Sequence, residues 1–282
     1  MTRILVTNDD GIDSIGLHVL ARALTEHGDV VVAAPDIEYS GAGAALGALH
    51  VMHPEVRRVP IDGVDEAWSV TGPPGLCVMF ARLGVFGPRF DLVVAGINPG
   101  ANVGRSIYHS GTVGAALTAR NGGISGVAVS QAVAGFGVEG QGWDEMLTDQ
   151  RWDTAATVGA AVVSALAREL PEEPVVINLN VPNMALDKIR GWRSGTIGLL
   201  PPRSVADATL VPLEGRDGTF AVRMAWGEEI PLPGDTDGGV IERGEVSISY
   251  LSRMQSEDRP DVPSPTAALS DLLTDPRPTV TR

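Results

Sequence analysis

The sequence has little cysteine, little lysine and no long hydrophobic run. Its 282 residues include one cysteine, Cys77, so neither an internal disulfide nor a thiolate metal cluster is available. The only lysine, Lys188, lies in no P-loop motif, and the five histidines form no HExxH motif, which excludes both kinds of site. No apolar run reaches about 18 residues, and the N-terminus lacks a basic segment followed by an apolar stretch. We therefore predict a cytoplasmic protein that has no membrane-spanning helix.

The composition also limits the partners that we expect. Hydrophobic residues make up 44% of the chain, which is enough to bury a core of ordinary size. The formal net charge is −14 at pH 7, and no basic patch is visible in the sequence. Because nucleic acids and anionic membranes attract positively charged surfaces, we expect this protein to bind neither.

The first 130 residues alternate between apolar runs and helical patterns. After the first run, apolar residues repeat at helical spacing from Leu17 to Leu24, with Ser14 as the predicted N-cap and Gly28 as the predicted C-terminal stop. The runs are apolar throughout, which is typical of parallel strands covered on both faces. The predicted strands of this segment are Ile4–Thr7, Val30–Ala34, Asp91–Gly96 and Val127–Ser130. The order predicts an α/β protein with a Rossmann-like, doubly wound and mostly parallel sheet.

The remaining chain divides the protein into three predicted regions. A helix over Trp152–Leu170 and a buried strand over Pro174–Leu179 complete a predicted core that spans residues 1–183. Residues 184–255 alternate over short stretches, which predicts a C-terminal region of hairpins, or an arm that packs on another subunit. Residues 256–282 form a proline-rich tail, expected to be mostly extended, with one short helical turn near residues 267–273.

Two polar loops follow predicted strands. Asp9 and Asp10 come directly after the first strand, and a glycine-rich loop with Asn98 and Asn102 follows the strand that ends near Gly96. In open parallel sheets the ligand crevice lies at the carboxyl ends of the strands. Adjacent carboxylates there repel one another, and a divalent cation with oxygen ligands removes that cost. The alternatives are a solvated Asp-Asp-Gly turn and a glycine-rich loop without a ligand.

Two further segments carry hydroxyl groups. Ser110 or Thr112 could cap a helix whose free N–H groups suit a phosphate, although a plain N-cap is an equally simple interpretation. Ser40 lies in a loop after the second strand and could be a ligand or an ordinary loop serine. Together the four segments favour metal-dependent phosphate chemistry.

In order and spacing, these motifs resemble the SurE survival-protein family. The resemblance is carried by Thr7–Gly11, Ser40–Gly41, Gly96–Asn98, Gly100, Asn102, Gly104 and Ser110–Val113. It implies a phosphoric monoester hydrolase, a 5'/3'-nucleotidase that acts on nucleoside monophosphates, in a homodimer or homotetramer. Some members of the family also cleave short polyphosphate.

The resemblance also implies roles for particular residues. One divalent cation per subunit, Mg²⁺ or Mn²⁺, would be held by four oxygen ligands, which are Asp9, Asp10, Ser40 and Asn98. Asp9 and Asp10 would be the catalytic residues, with Asp10 orienting the attacking water. Four further residues would surround the phosphate, which are Asn102, Ser110, Gly111 and Thr112.

Three segments depart from the family's pattern. Small residues replace polar ones at 43–47, Pro73 stands where a threonine is usual, and Arg105–His109 replaces a stretch that usually contains aspartate and ends in tyrosine. These changes remove hydrogen-bonding groups around the expected site. They leave two alternatives open, which are a phosphatase for another phosphomonoester or for short polyphosphate, and a non-catalytic relative that binds a nucleotide or a metal.

Overall fold

The computed structural model describes residues 1–133, 147–200, 205–228, 230–256, 258 and 260–274. Contacts within the chain separate two compact units, Met1–Ser252 and Arg253–Arg282. In chain order the strands and helices are β1 (Arg3–Thr7), α1 (Ile15–Leu24), β2 (Asp29–Pro35), β3 (Val56–Arg58), β4 (Glu66–Val70), α2 (Pro74–Arg82), β5 (Leu92–Pro99), a 3₁₀ helix (Gly104–Tyr108), α3 (Gly111–Asn121), β6 (Ser125–Gln131), α4 (Trp152–Arg168), β7 (Val176–Val181), a second 3₁₀ helix (Leu186–Lys188), β8 (Trp192–Ser194), β9 (Val205–Pro212), β10 (Phe220–Trp226), α5 (Asp237–Glu242), β11 (Val246–Tyr250) and α6 (Ser264–Thr274).

The centre of the first unit is a nine-stranded, mostly parallel sheet with the order β3-β4-β2-β1-β5-β6-β7-β11-β8. Strands β4, β2, β1, β5, β6 and β7 form a parallel set within this sheet. Strand β3 at one edge is antiparallel to β4, and β11 is antiparallel to β7. The predicted mostly parallel α/β fold is confirmed, and so is the small antiparallel hairpin near the C-terminus, which β9 and β10 form.

The strands are apolar throughout because helices cover both faces of the sheet. In β1, Ile4 and Val6 belong to the core cluster that contains the buried faces of α1 and α4. Leu5, between them, belongs to the cluster that contains α2 and α3. Successive strand side chains point to opposite faces, so a strand buried on both sides needs an apolar residue at every position.

The first helix ends earlier than its sequence pattern predicts. It stops at Leu24, where the Thr25 N–H and hydroxyl both donate to the carbonyl of Arg22. The prediction that Gly28 terminates this helix is therefore wrong. A Cβ at Gly28 would lie 2.5 Å from the carbonyl oxygen of Thr2, so glycine is required there by the close approach of the chain to β1.

The C-terminal part of the chain differs from its predicted form in two ways. Strands β8 and β11 belong to the main sheet rather than to a separate hairpin region. In the predicted extended tail, Ser264–Thr274 is an 11-residue helix instead of a single turn. Residues 275–282 of that tail lie outside the described residues. No helix in the described ranges is both long enough and apolar enough to cross a bilayer.

Cys77 is enclosed in the core between α2 and the sheet. Its side chain is fully buried, and burial raises the pKa of the thiol to about 12. Only the thiolate reacts with disulfide reagents. We therefore expect negligible reaction of the native protein with Ellman's reagent at pH 8, and release of one equivalent of chromophore in denaturant. Rapid release from the native protein would contradict this assignment.

Candidate metal and phosphate site

The predicted site residues gather at the carboxyl edge of the sheet. Asp9 and Asp10 follow β1, and the neighbouring strand β5 carries Asn98 near its end. The loop after β2 reaches the same place, because the Tyr39 N–H donates to the Asp9 carbonyl over 2.7 Å. The N-terminus of α3 completes the group, with Thr112 in contact with Asp9. Segments that are far apart in the sequence are thus brought to one edge, as the parallel topology requires.

The Asp9 carboxylate is buried against the first turn of α3. Its Oδ1 accepts a hydrogen bond from the Thr112 hydroxyl, and the backbone N–H groups of Gly111 and Thr112 lie near enough to this carboxylate to lower its pKa. Burial raises the pKa of Asp9, while these donors lower it. The first N–H groups of α3, expected to face a phosphate, therefore lie beside Asp9. A carboxylate is stabilised in this position by the positive end of the helix dipole.

Gly111 makes this close approach possible. A Cβ at residue 111 would lie 2.7 Å from the Asp9 Cβ and 2.8 Å from Asp9 Oδ2. Both distances are shorter than van der Waals contact, and the Asp9 side chain is only 3% exposed, so it has no free space into which to move. Glycine at 111 is therefore required by the position of Asp9.

The Asp10 carboxylate lacks the hydrogen bonds that a buried carboxylate needs. Both of its carboxylate oxygens are buried and have no hydrogen-bond partner among the described residues. Burial raises the pKa of Asp10 well above its ordinary value, and the negative charges of Asp9 and Glu38 raise it further. A buried carboxylate without a donor or a positive charge is unfavourable. A divalent cation would satisfy these oxygens, so the donor set fits a metal such as Mg²⁺ or Mn²⁺.

Asn98 reaches the site because β5 is irregular. The register with β6 shifts between Gly96 and Asn98, which places Asn98 opposite Ser130. Gly96 has a φ of +130°, and a Cβ there would collide with the carbonyl of Val129. The Asn98 amide donates to the Gly100 carbonyl over 2.7 Å, and its Oδ1 lies 3.4 Å from the Thr112 hydroxyl. The Asn98 side-chain oxygen therefore faces the Asp9 side of the site.

Ser40 and Ser110 occupy different environments. Ser40 is exposed and follows Tyr39, so it lies beside the Asp9 backbone. Ser110 is the N-cap of α3, with its Oγ accepting a 3.0 Å bond from the Val113 N–H, as its sequence position predicts.

Asn102 is held by a network that sequence reasoning missed. Its N–H donates to Asn180 Oδ1 over 2.8 Å, and its carbonyl accepts from the amides of Asn178 and Asn180. Its own amide donates to Ser130 Oγ over 2.9 Å. The signal was present in β7, where Asn178 and Asn180 alternate within an apolar strand and therefore point to the same face.

Among the departures from the family's pattern at residues 43–45, only Gly43 has a packing explanation. The Gly43 N–H donates to the His109 carbonyl over 3.0 Å, and a Cβ at Gly114 would collide with the carbonyl of Gly43. A Cβ at Gly75 would lie 2.6 Å from the carbonyl of Ala45. The loop backbone therefore packs on the first turns of α2 and α3, where a Cβ at Gly43 would lie 3.0 Å from the Tyr108 carbonyl oxygen, whereas Ala44 and Ala45 are exposed.

The fold and the site together define a Rossmann-like α/β protein with an acidic, oxygen-rich site at the carboxyl edge of its sheet. The family model described as Survival protein SurE matches residues 4–200, and the chain belongs to that family.

Individual relatives agree with this assignment. The chain is 34% identical over 249 residues to a protein of Citrobacter koseri named 5'/3'-nucleotidase SurE, which covers 88% of this chain and 89% of the relative. A protein of the same name from Erwinia tasmaniensis is 35% identical, with the same coverage. The crystal structure of SurE protein from Aquifex aeolicus superimposes with a TM-score of 0.70 and 27% identity, and covers 97% of this chain and all of that one.

Proposed function

We propose that this protein is a metal-dependent phosphatase that hydrolyses nucleoside monophosphates, as a 5'/3'-nucleotidase of the SurE family. The observation that carries the proposal is the buried, unpartnered carboxylate of Asp10, beside Asp9 at the N-terminus of α3. The names of the relatives in Citrobacter koseri and Erwinia tasmaniensis support the same activity. The match extends over 89% of their length, and the family model spans residues 4–200, which include Asp9, Asp10 and Asn98.

One divalent cation per subunit, Mg²⁺ or Mn²⁺, is part of the proposal. Its ligands would be four oxygen-bearing side chains, which are Asp9, Asp10, Ser40 and Asn98. A divalent cation supplies positive charge that stabilises a phosphoryl oxygen and acidifies water. Asp10 would orient the attacking water with an oxygen that makes no other hydrogen bond among the described residues. Thr112 holds Asp9 in place, so that this carboxylate keeps one orientation.

The phosphate would lie between the Asn102 loop and the N-terminus of α3. Ser110 accepts a hydrogen bond from the Val113 N–H, which leaves its hydroxyl hydrogen for a phosphate oxygen. Gly111 and Thr112 lie in the first turn of α3, beside Asp9, and would border the phosphate at the positive end of the helix, where negative charge is favoured. Asn102 lies in a fixed position because Asn178 and Asn180 hold its backbone.

A generic phosphate ester provides the first test. We expect the purified protein to hydrolyse p-nitrophenyl phosphate with Mn²⁺ or Mg²⁺, and EDTA to abolish turnover, because the site needs a cation to neutralise its two carboxylates. Release of the product is measured from the absorbance of p-nitrophenolate at about 405 nm. Folded protein that shows no turnover with any divalent metal would overturn the proposal in favour of the non-catalytic alternative.

The second candidate is a phosphatase for another phosphomonoester or for short polyphosphate. The observation that favours it lies in the segment before Ser110. Arg105, Tyr108 and His109 are exposed there, and they replace the residues that are usual in the family. A panel of nucleoside 5'- and 3'-monophosphates, sugar phosphates and tripolyphosphate distinguishes the two candidates. The proposed activity requires the highest kcat/KM on a nucleoside monophosphate.

Assembly and location belong to the same proposal. We propose a core over residues 1–183, a region over 184–255 that joins subunits into a homodimer or homotetramer, and a tail over 256–282. The β9–β10 hairpin supports this role, because it exposes Leu210, Phe220, Val222 and Met224, and two-stranded sheets are marginally stable alone. Light scattering measures the subunit number directly. The proposal also includes a location in the cytoplasm without nucleic-acid or membrane partners, which the net charge of −14 supports.

A further inference from the structure

Asp237 is a buried carboxylate outside the proposed metal site. It begins α5 and is only 1% exposed. Its Oδ2 accepts a 2.9 Å hydrogen bond from the Gly104 N–H, and its Oδ1 accepts bonds of 3.0 Å from Gly198 and 2.9 Å from Gly238. Hydrogen bonds from N–H groups to a carboxylate are stronger than those between neutral groups. Asp237 therefore fixes three separate points of the backbone.

Of these three backbone positions, Gly104 is the one that belongs to the segment carrying the proposed phosphate site. It lies where the loop that follows β5 and carries Asn102 ends, and where the 3₁₀ helix that leads to Ser110 begins. The bond from Gly104 to Asp237 therefore holds the middle of the segment that carries most of the proposed site. It spans 133 residues of sequence, so the C-terminal region takes part directly in shaping the site.

The surroundings of Asp237 leave it little freedom to move. A Cβ at Gly195 would lie 2.7 Å from the Asp237 Cα, and a Cβ at Gly104 would lie 2.8 Å from the carbonyl oxygen of Leu200. The two backbone segments on either side of the carboxylate are thus in close contact. A carboxylate enclosed in this way sets the position of the groups that donate to it.

We infer that Asp237 is a positioning residue for phosphate binding, acting through Gly104 on Asn102 and Ser110. This inference rests on the proposed phosphatase function. Asp237 touches neither the metal ligands nor the space between Asn102 and α3, so its effect is on geometry and not on chemistry. Loss of the Gly104 bond lets the loop and the 3₁₀ helix move, and the phosphate then loses its aligned donors.

Asp237→Asn tests the inference, with Thr236→Ala as the matched control. Asparagine keeps one acceptor oxygen for Gly198 and Gly238, but presents an N–H₂ group to the Gly104 N–H. Thr236 caps the same helix by accepting from the Gly239 N–H, and it makes no contact with Gly104. Both variants therefore weaken the start of α5, and only Asp237→Asn releases the loop.

The readouts separate positioning from a loss of folded protein. Partial unfolding lowers kcat and leaves KM unchanged, whereas a displaced loop raises KM and the inhibition constant of inorganic phosphate. For Asp237→Asn we expect kcat/KM on p-nitrophenyl phosphate to fall about 10- to 100-fold through KM, in the range of other residues that orient a site indirectly. Hydrogen exchange of residues 98–110 in the metal-free protein should accelerate in Asp237→Asn and stay unchanged in Thr236→Ala.

Each result decides a different question. A wild-type protein without turnover removes the proposed function, while the exchange comparison still tests the link between Asp237 and the loop. An active wild type with equal KM and equal exchange in the two variants overturns the inference. If Asp237→Asn does not fold, the wild-type protein remains informative, because rapid exchange of the Gly104 N–H would by itself contradict the hydrogen bond on which the inference depends.

Discussion

Asp10→Asn is expected to make the metal-free protein more stable and the enzyme inactive. Both Asp10 oxygens are buried without a donor, and the charge of Asp10 is repelled by Asp9 and Glu38. Removing that charge should raise the free energy of unfolding in EDTA by about 1 kcal/mol. The same change removes one of the proposed cation ligands. Loss of a residue that only supports a metal ligand lowers metal affinity or activity about 10- to 100-fold. Loss of a ligand itself should therefore lower activity by more than about 100-fold.

Thermal denaturation with and without metal provides the measurement. Saturating Mn²⁺ should stabilise the wild type, by about 2.7 kcal/mol at 100 times the dissociation constant, and should stabilise Asp10→Asn much less. A variant that is active, or that is stabilised by Mn²⁺ as strongly as the wild type, would remove Asp10 from the metal site.

Asp9→Asn is the informative comparison for this experiment. The Asp9 carboxylate accepts a hydrogen bond from the Thr112 hydroxyl, and the N–H groups of Gly111 and Thr112 lie near it. An asparagine amide in its place would direct its own N–H₂ at some of these donors, at a cost of about 1–3 kcal/mol for a buried group left unpaired. Both variants should be inactive, but their stabilities in EDTA should change in opposite directions.

Gly111→Ala has the second-largest expected effect. A Cβ at this position meets the Asp9 Cβ at 2.7 Å and Oδ2 at 2.8 Å, so the carboxylate must move or α3 must shift. Overpacking of this kind costs about 1–3 kcal/mol of stability. A displacement of about 1 Å in a catalytic group costs about 100-fold in rate, so we expect kcat/KM to fall by at least that factor.

Gly159→Ala is the matched control for this substitution. It lies within α4, where its added Cβ would find Val129 and Leu20 side chains at 3.4–3.5 Å, which is ordinary van der Waals contact. Alanine is favoured over glycine inside a helix by about 0.5–1 kcal/mol, so this variant should be active and slightly more stable. Circular dichroism confirms that both variants are folded. Equal kcat/KM in the two variants would contradict the role assigned to Gly111.

The central strands and the polar strand ends could be predicted because their signals are local. An apolar run such as Val30–Ala34 and an Asp-Asp-Gly turn after a strand can be recognised without knowledge of the fold. The neighbours that hold each group in place could not be predicted. Which hydroxyl reaches Asp9 depends on the position of α3, and nothing near Thr112 in the sequence indicates Asp9.

Other parts were missed because their local signals are weak. Strand β3 has only three residues, two of them arginines, and its pairing with β4 is set by the tertiary structure. Helix α2 begins at Pro74, with no side-chain cap, after a Thr-Gly-Pro segment that is typical of a turn. Nothing local in the sequence indicates what Asp237 does, and only the three N–H groups around it reveal its role.

The bond between Gly104 and Asp237 has a consequence for folding. Contacts between residues that are distant in sequence are slow to form, because the intervening chain must first be ordered. The parallel core can gain its strands and helices before Asp237 arrives, but the loop beside Asn102 cannot take its final position until then. We therefore expect activity to recover later than secondary structure after dilution from denaturant, at a time set by the C-terminal region.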